Sequence, residues 1–331
     1  MMTIRMPVED SSHVSGARRE ARTLAIQLGF GEVNSEKVAI VVTEAATNLL
    51  KHGGGGVVYL QPTADSKPGV EMIAVDRGPG VIDWQKARLD GFSTSGTAGH
   101  GLGSMERNSS FFDVCSFPGQ GTVLLARFSG GESDDASDHH PRVSGLQTPK
   151  PGEDVSGDAW ASQTVGDSRT VILVDGLGHG PEAEVAARTA VEFLDGNAGA
   201  SPKDLLEIVH RGIRHTRGAA VSIAKLNSSR RTIAFAGLGN VSGRICGADT
   251  VSRHLVTLNG TAGMESRTAM REFEYPWPEG SVLIMHSDGL TSRWEFKDYP
   301  GLLRHDAAII SGVLLRDFSR GTDDSTVVAV K

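Results

Sequence analysis

A polar segment near the middle of the chain divides it into two halves. Residues 129–149 are rich in Gly, Ser, Asp and Pro and contain almost no large apolar side chain, which predicts a flexible linker. A chain of 331 residues is long enough for two domains, each with its own core. We therefore expect an N-terminal domain over residues 1–128 and a C-terminal domain over residues 150–331.

Composition excludes several classes of protein. The net charge is −7 and the basic residues are scattered, which argues against nucleic acid as a partner. The two cysteines, Cys115 and Cys246, fall in different halves, so they form neither a disulfide framework nor a zinc ligand set. No apolar run reaches the length of a signal peptide or a membrane span. We expect a cytoplasmic protein without a membrane partner.

The pattern of apolar residues differs between the two halves. Helical spacing predicts helices over residues 17–28 and 35–52, with Ser35 as the N-cap of the second. Further helices are predicted after Pro181, after Pro202 and over residues 306–318. This mixture predicts the α+β class, with a layered sandwich in the second half. Strands are predicted at Val57–Gln61, Val70–Asp76, Phe111–Phe117, Thr122–Phe128, Thr170–Asp175, Ala219–Leu226, Thr232–Ala236, Val282–Ser287 and Thr326–Val330.

One face of the second predicted helix carries polar side chains. Glu44, Asn48 and His52 follow each other at intervals of four residues, so they stack on the side opposite the apolar stripe. The Asn oxygen is a suitable Mg²⁺ ligand, and the Glu carboxylate can accept a proton from a hydroxyl or water. Such a face is also common on ordinary exposed helices, so it needs further support.

Two glycine-rich turns follow this helix. Glycines let backbone N–H groups approach phosphate, and a following helix N-terminus favours an anion. The order ExxxN, DxGxG and GxGxG is more specific than any of these motifs alone. A dinucleotide site of the Rossmann type fits worse, because no GxGxxG follows the first strand. The residues of the two turns are Asp76, Gly78, Gly80, Gly99, Gly101 and Gly103.

This order of motifs resembles the GHKL superfamily of ATPases, in the short form of the RsbW- and RsbT-like anti-sigma-factor serine kinases. The resemblance covers residues 10–128 and implies a Bergerat-type α/β two-layer sandwich that binds ATP with Mg²⁺. It implies that Glu44 is the catalytic base, Asn48 the Mg²⁺ ligand and Asp76 the partner of the adenine amino group. It further implies that the remaining glycines shape the adenine pocket (Gly78, Gly80) and border the phosphates (Gly99, Gly101, Gly103).

In the second half, aspartates stand where apolar strands end. Asp175 and Asp288 each follow such a strand and precede a glycine, Asp158 follows Gly157, and Asp323 leads into the final strand. Each of them alone reads as a turn residue. Together they provide the carboxylates that a binuclear Mg²⁺ or Mn²⁺ site requires.

The order GD, VDGLGHG, SDGL and DDST resembles the PPM-type protein phosphatases, in the SpoIIE and RsbX-like branch, over residues 150–331. The resemblance implies an α-β-β-α sandwich holding two Mn²⁺ or Mg²⁺ ions. Asp175 is then expected to bridge the metals, the Gly176 carbonyl to ligate one of them, and Asp288 and Asp323 to complete the second. Asp158 is expected to act as a ligand or to hold a metal-bound water. His179 could be a general acid, although a surface position in its glycine-rich loop is the favoured interpretation.

The two resemblances together imply a bifunctional bacterial regulator. An ATP-dependent serine/threonine kinase and a metal-dependent serine/threonine phosphatase are expected to act on a phosphoprotein, with a STAS-domain or other sigma-regulator protein as the partner. An alternative is a phosphatase whose N-terminal domain is a non-catalytic, ATP-gated partner-binding module. A pseudophosphatase is the third alternative, which the full set of aspartates disfavours.

Overall fold

The computed structural model describes residues 3–64, 69–81, 101–130, 140–247, 252–264 and 269–331. The chain forms two compact units, and their division does not follow the order of the sequence. The first unit consists of Met2–Ala136 together with Lys297–Arg316, and the second consists of Ser137–Phe296 together with Asp317–Lys331. Residues 297–316 therefore pack with the N-terminal half, whereas the sequence predicts them as part of the C-terminal domain.

The first unit is built on an antiparallel sheet of five strands in the order β1-β2-β3-β5-β4. Asp10 caps the first helix, because its Oδ1 accepts hydrogen bonds from the amides of Ser12 and His13. The elements are β1 (Ile4–Val8), α1 (Ser11–Gln27), α2 (Glu32–His52), β2 (Gly56–Pro62), β3 (Gly69–Val75), α3 (Gly101–Arg107), β4 (Phe111–Phe117) and β5 (Gly121–Ser129).

Both faces of this sheet are buried at its strands β3 and β5. Alternate residues of β3, such as Met72 and Ala74, belong to the core that the sheet forms with α1 and α2. The residues between them, such as Ile73, point to the opposite face and are equally buried. Helix α6 (Ala307–Phe318) packs on that face, since a Cβ added to Gly312 would lie 2.7 Å from Val123 and 3.5 Å from Ile73. The segment 297–316 thus forms a second layer over the sheet.

The second unit contains two antiparallel sheets of five strands. Their orders are β13-β10-β9-β8-β7 and β12-β11-β14-β15-β6. Helices α4 (Pro181–Glu192) and α5 (Pro202–Gly212) share a hydrophobic core with the first of these sheets. The strands are β6 (Val143–Thr148), β7 (Asp158–Val165), β8 (Ser168–Gly176), β9 (Ala219–Asn227), β10 (Thr232–Leu238), β11 (Ser242–Cys246), β12 (Arg253–His254), β13 (Phe273–Pro276), β14 (Val282–His286) and β15 (Ser325–Val330).

The α+β class and the predicted helices and strands are confirmed, with three differences. Residues 143–148, which the sequence assigns to the linker, form strand β6 and pair with β15 along its whole length. The N-cap of α2 is Gly31, so the prediction for Ser35 is wrong. Ser35 lies inside the helix, where its hydroxyl donates to the carbonyl oxygens of Gly31 and Phe30. Strands such as β1 and β7 were not predicted, because their polar residues interrupt the apolar pattern.

Helices long and apolar enough to cross a membrane are absent from the described ranges.

Candidate functional site

Helix α2 presents two of the predicted site residues in the first unit. Glu44 and Asn48 lie one turn apart, half-buried, beside a stripe that includes the buried Ala45 and Leu49. His52 lies one turn further on and is exposed. The structure therefore has the predicted stack of a carboxylate and an amide on the flank of the core stripe.

The start of α3 lies directly against this pair. A Cβ at Gly101 would be 3.3 Å from Glu44 Oε2 and 3.8 Å from Asn48 Nδ2. A glycine leaves open space between the helix backbone and the two polar side chains, which a larger residue would fill. Gly103 is buried within α3, and Gly99 lies outside the described residues. The second glycine turn and the polar face of α2 thus lie together, as the order of motifs predicts.

Asp76 follows β3 and is held by backbone hydrogen bonds. Its Oδ1 accepts from the amide of Gly78 at 2.8 Å and from the amide of Thr122 at 3.2 Å. Burial raises the pKa of the Asp76 carboxyl, and these two hydrogen bonds oppose the rise. A Cβ at Gly53, the C-cap of α2, would lie 2.7 Å from the Asp76 Cβ. The predicted adenine-binding residue is therefore beside the end of the helix that carries Glu44.

The glycines of the first turn are required by close backbone packing. A Cβ at Gly78 would lie 2.8 Å from the Gly53 Cα and 2.8 Å from the carbonyl oxygen of His52. Gly80 has a φ of +71°, and a Cβ there would collide with the carbonyl of Phe117. These contacts fix the turn between the end of α2 and strand β4.

In the second unit, Asp158 and Asp175 lie directly opposite each other on β7 and β8. The Ser287 hydroxyl donates to Asp158 Oδ2 at 2.7 Å, while Asp158 Oδ1 is buried without a hydrogen-bond partner. Burial raises the pKa of Asp158 to about 7, and the hydroxyl groups of Ser287 and Thr326 oppose the rise. A buried carboxylate oxygen without a donor is suited to a cation.

The remaining predicted aspartates lie close enough to act on Asp175 electrostatically. Burial and the negative charges of Asp158, Asp288 and Asp323 together raise the pKa of Asp175 to about 9, with burial as the largest cause. Such a concentration of like charge fits a site that divalent cations neutralise. Within the described ranges, however, no three acidic, His or Cys side chains already converge as a complete ligand set. Asp288 instead accepts a hydrogen bond from Asn240 Nδ2 at 2.5 Å.

Two glycines bring the aspartate loops close to neighbouring backbone. A Cβ at Gly289 would collide with the carbonyl of Asp324, so the turn after Asp288 lies against the turn that carries Asp323. A Cβ at Gly176 would collide with the carbonyl of Ala183 in α4. The glycine after Asp175 therefore has a packing role that the sequence analysis missed.

Asp324, the second aspartate of the DDST motif, is engaged by the backbone. Its Oδ1 accepts a hydrogen bond from the Lys150 amide at 2.9 Å, which anchors the chain just after β6. Asp324 Oδ2 is buried without a hydrogen-bond partner, and Asp323 Oδ1 accepts from the Asp324 amide at 2.9 Å, so the geometry does not favour one aspartate of the motif over the other as a metal ligand. His179 pairs with Glu153, whose Oε1 is 2.6 Å from the His179 Nδ1, and about half of the His179 side chain is exposed.

Sequence reasoning missed Ser287 and Asn240. Ser287 stands directly before the predicted ligand Asp288, and its position at the end of an apolar strand was a signal that could have identified it. The serine also accepts a hydrogen bond from the Thr326 amide at 2.9 Å, so it connects two aspartate-bearing segments. Asn240 lies in an ordinary Gly-Asn turn, and no pattern in the sequence distinguishes it.

The fold and the two sites define an ATPase domain of the GHKL type joined to a PPM-type serine phosphatase domain. The chain belongs to the stage II sporulation protein E (SpoIIE) family, which its residues 166–331 match, and residues 7–128 match the histidine kinase-like ATPase domain. These matches confirm both resemblances that the sequence motifs indicate.

Two proteins of Bacillus subtilis (strain 168) are similar to separate parts of the chain. The serine/threonine-protein kinase RsbT is 38% identical over 114 residues, which cover 34% of this chain and 86% of RsbT. The phosphoserine phosphatase RsbX is 24% identical over 145 residues, which cover 44% of this chain and 72% of RsbX. A crystal structure of RsbX in complex with magnesium has a TM-score of 0.50 at 20% identity, and covers 60% of this chain and 96% of that chain. This similarity confirms the fold of the phosphatase domain.

Proposed function

We propose that the chain is a bifunctional regulator that adds phosphate to a serine or threonine with one domain and removes it with the other. The observation that carries the phosphatase half is the opposed pair Asp158 and Asp175, with a buried orphan oxygen and the charges of Asp288 and Asp323 around it. Ionised carboxylates buried this close together are costly, and a bound divalent cation would offset that cost.

Two Mn²⁺ or Mg²⁺ ions are the proposed cofactors of the second unit. Asp175 would bridge them, and Asp158, Asp288, Asp323 and the Gly176 carbonyl would supply the other protein oxygens. When bound, such a pair supplies an activated water nucleophile and charge neutralisation for a phosphoryl group. Ser287 would fix the orientation of Asp158, because it donates to one carboxylate oxygen, and the other oxygen would be available to a cation.

The first unit is proposed to bind ATP with Mg²⁺ and to transfer its γ-phosphoryl group. Glu44 would accept the proton of the attacking hydroxyl, and Asn48 would ligate Mg²⁺. Asp76 would accept a hydrogen bond from the adenine amino group, with Gly78 and Gly80 lining that pocket. The glycines of the second turn, Gly99, Gly101 and Gly103, would border the phosphates.

The proposed substrate is a phosphorylatable protein of a partner-switching pathway, and a STAS-domain regulator is the finer proposal. The similarity of the two halves to RsbT and RsbX supports this, since those relatives are a protein kinase and a phosphoserine phosphatase. A fused pair of opposed activities suits a common substrate.

Metal-dependent hydrolysis of a phosphoester tests the phosphatase half. We expect Mn²⁺-dependent release of phosphate from a phosphoserine peptide by the wild type, and its loss in Asp175→Asn. Asp195→Asn removes an exposed carboxylate elsewhere in the same unit and should retain the activity. Equal hydrolysis by the wild type and Asp175→Asn would contradict the proposed site.

A non-catalytic, ATP-gated module is the second candidate for the first unit. The observation that favours it is that Lys297–Arg316, a segment of the SpoIIE-matching region, belongs to the ATPase unit. Phosphotransfer from γ-labelled ATP to a candidate STAS-domain protein separates the two. If the first unit is a kinase, the wild type transfers phosphate and Glu44→Gln does not, although both bind ATP. If it is a gating module, the wild type and Glu44→Gln both bind ATP and neither transfers phosphate.

A further inference from the structure

One side chain of the SpoIIE-matching region contacts the nucleotide pocket proposed for the first unit. Arg316 lies in α6, and its Nη1 donates to the backbone carbonyl of Asp76 at 3.4 Å. The arginine is only 6% exposed. Both residues belong to the first unit, although 240 positions separate them in the chain.

The hydrogen bond from Arg316 is one of several contacts that hold Asp76 in place. The Asp76 amide donates to the carbonyl of Thr122 at 3.0 Å, and the Asp76 side chain accepts from the amides of Gly78 and Thr122. A Cβ at Gly121 would collide with the Asp76 carbonyl, so β5 borders the same group. Arg316 adds a restraint on this residue from outside the N-terminal half of the sequence.

The helix that carries Arg316 is itself anchored at its other end. Asp306 precedes α6 and accepts a hydrogen bond from the Ala308 amide at 2.9 Å, as an N-cap does. The same carboxylate binds the guanidinium of Arg127 on β5, at 2.6 and 2.8 Å. Because this ion pair is buried, α6 cannot slide along the sheet without leaving charges unpaired.

We propose that Arg316 is a positioning residue for the nucleotide pocket, which holds Asp76 in place to recognise adenine. Nucleotide binding by the N-terminal domain then depends on a side chain supplied by the C-terminal, SpoIIE-matching region. The inference rests on the proposed binding of ATP and adds a residue to it. The positive charge of Arg316 also lowers the pKa of Asp76 against the effect of burial, which favours the ionised, hydrogen-bond-accepting carboxylate.

The test is calorimetric titration of the full-length protein with ADP and with GDP. Adenine presents an amino group to Asp76 where guanine presents a carbonyl oxygen, so a correctly placed carboxylate prefers ADP. We expect Arg316→Met to bind ADP about tenfold more weakly, with a reduced preference over GDP, because an Asp76 carboxylate that is no longer held in place forms a poorer hydrogen bond with the adenine amino group. Arg316→Lys should be intermediate. Arg304→Met, which removes an exposed cation from the same segment, should match the wild type.

The ADP affinity and the preference for ADP over GDP decide the inference. Unchanged ADP affinity and unchanged preference over GDP in Arg316→Met would overturn the inference, and so would a loss of thermal stability without a change in preference. If Arg316→Met fails to fold, Arg316→Lys decides by the same two measurements, since it keeps the cation and most of the stem. Failure of the wild type to bind ADP would contradict the proposed nucleotide-binding function itself.

Discussion

Arg127 and Asp306 form a two-point ion pair across 179 positions of sequence, in which the two Nη atoms of the guanidinium donate to the two carboxylate oxygens. The Arg127 Nε donates to Glu71 Oε2 at 2.7 Å, and Glu71 Oε1 accepts from the Gln61 side-chain Nε2 at 2.8 Å. One cation therefore satisfies two carboxylates inside the first unit. This network specifies which segment covers the outer face of the sheet.

Removal of Arg127 should destabilise the first unit strongly. Arg127→Met leaves Glu71 and Asp306 as uncompensated buried charges, and we expect a loss of about 3–5 kcal/mol in its free energy of unfolding. Arg18→Met removes an arginine that pairs with Glu36 and whose side chain is 43% exposed. This change should lower the free energy of unfolding by at most about 1 kcal/mol. Urea denaturation with a probe of the first unit measures both. Similar midpoints for the two variants would contradict a structural role for the network.

The stability of the first unit should fall as the pH rises above neutrality. Hydrogen bonds with Asp113 and Cys115 raise the pKa of His305 to about 10, although burial opposes the rise. Because the folded-state pKa exceeds the unfolded value of about 6.5, the stabilisation is complete below pH ~6.5 and is lost as the pH approaches 10.

Urea denaturation between pH 6 and pH 10 checks this. The free energy of unfolding of the wild type should decline across that range, and His305→Gln should show a flatter profile. Replacement of the exposed His215 by Gln provides the control and should leave the decline intact. A steep decline in His305→Gln would show that another group is responsible.

Ser287→Ala should weaken metal binding more than it weakens the fold. The serine donates to Asp158 Oδ2, and the loss of such an orienting contact typically costs about 10- to 100-fold in metal affinity or activity. We expect the Mn²⁺ concentration for half-maximal hydrolysis of a phosphoester to rise by about tenfold or more. Ser281→Ala, at a buried serine just before β14, should retain the wild-type Mn²⁺ dependence.

Gly312→Ala should destabilise the first unit, because the new methyl group would lie 2.7 Å from Val123. Overpacking of this kind costs about 1–3 kcal/mol. Gly199 has open space around its Cα, so Gly199→Ala should be nearly neutral. Thermal denaturation compares the two, and equal melting temperatures would mean that α6 yields to the added volume.

Local proximity could be predicted from the sequence, whereas the boundary between the units could not. Glu44 and Asn48 share a helix face, and Asp158 and Asp175 stand at strand ends, which are local features of the pattern. The packing of residues 297–316 on the first unit depends on long-range contacts. Nothing in a local pattern shows that Asp306 has its partner at Arg127, because an Asp before an apolar helix reads simply as an N-cap.

Strand β6 and the role of Gly176 were missed for related reasons. The polar composition around Val143–Thr148 hides a strand whose pairing partner is the last strand of the chain. The glycine after Asp175 was interpreted through the metal site, whereas its closest neighbour is the backbone of α4. Tertiary contacts decide both cases.

The division of the units has a consequence for synthesis on the ribosome. A domain whose residues are contiguous in the sequence can fold as a unit once it has left the exit tunnel. Here the outer layer of the first sheet, Lys297–Arg316, is synthesised only after Ser137–Phe296 of the second unit. Until then Arg127 lacks its partner Asp306, so we expect the first unit to complete its fold only after most of the second unit has been synthesised.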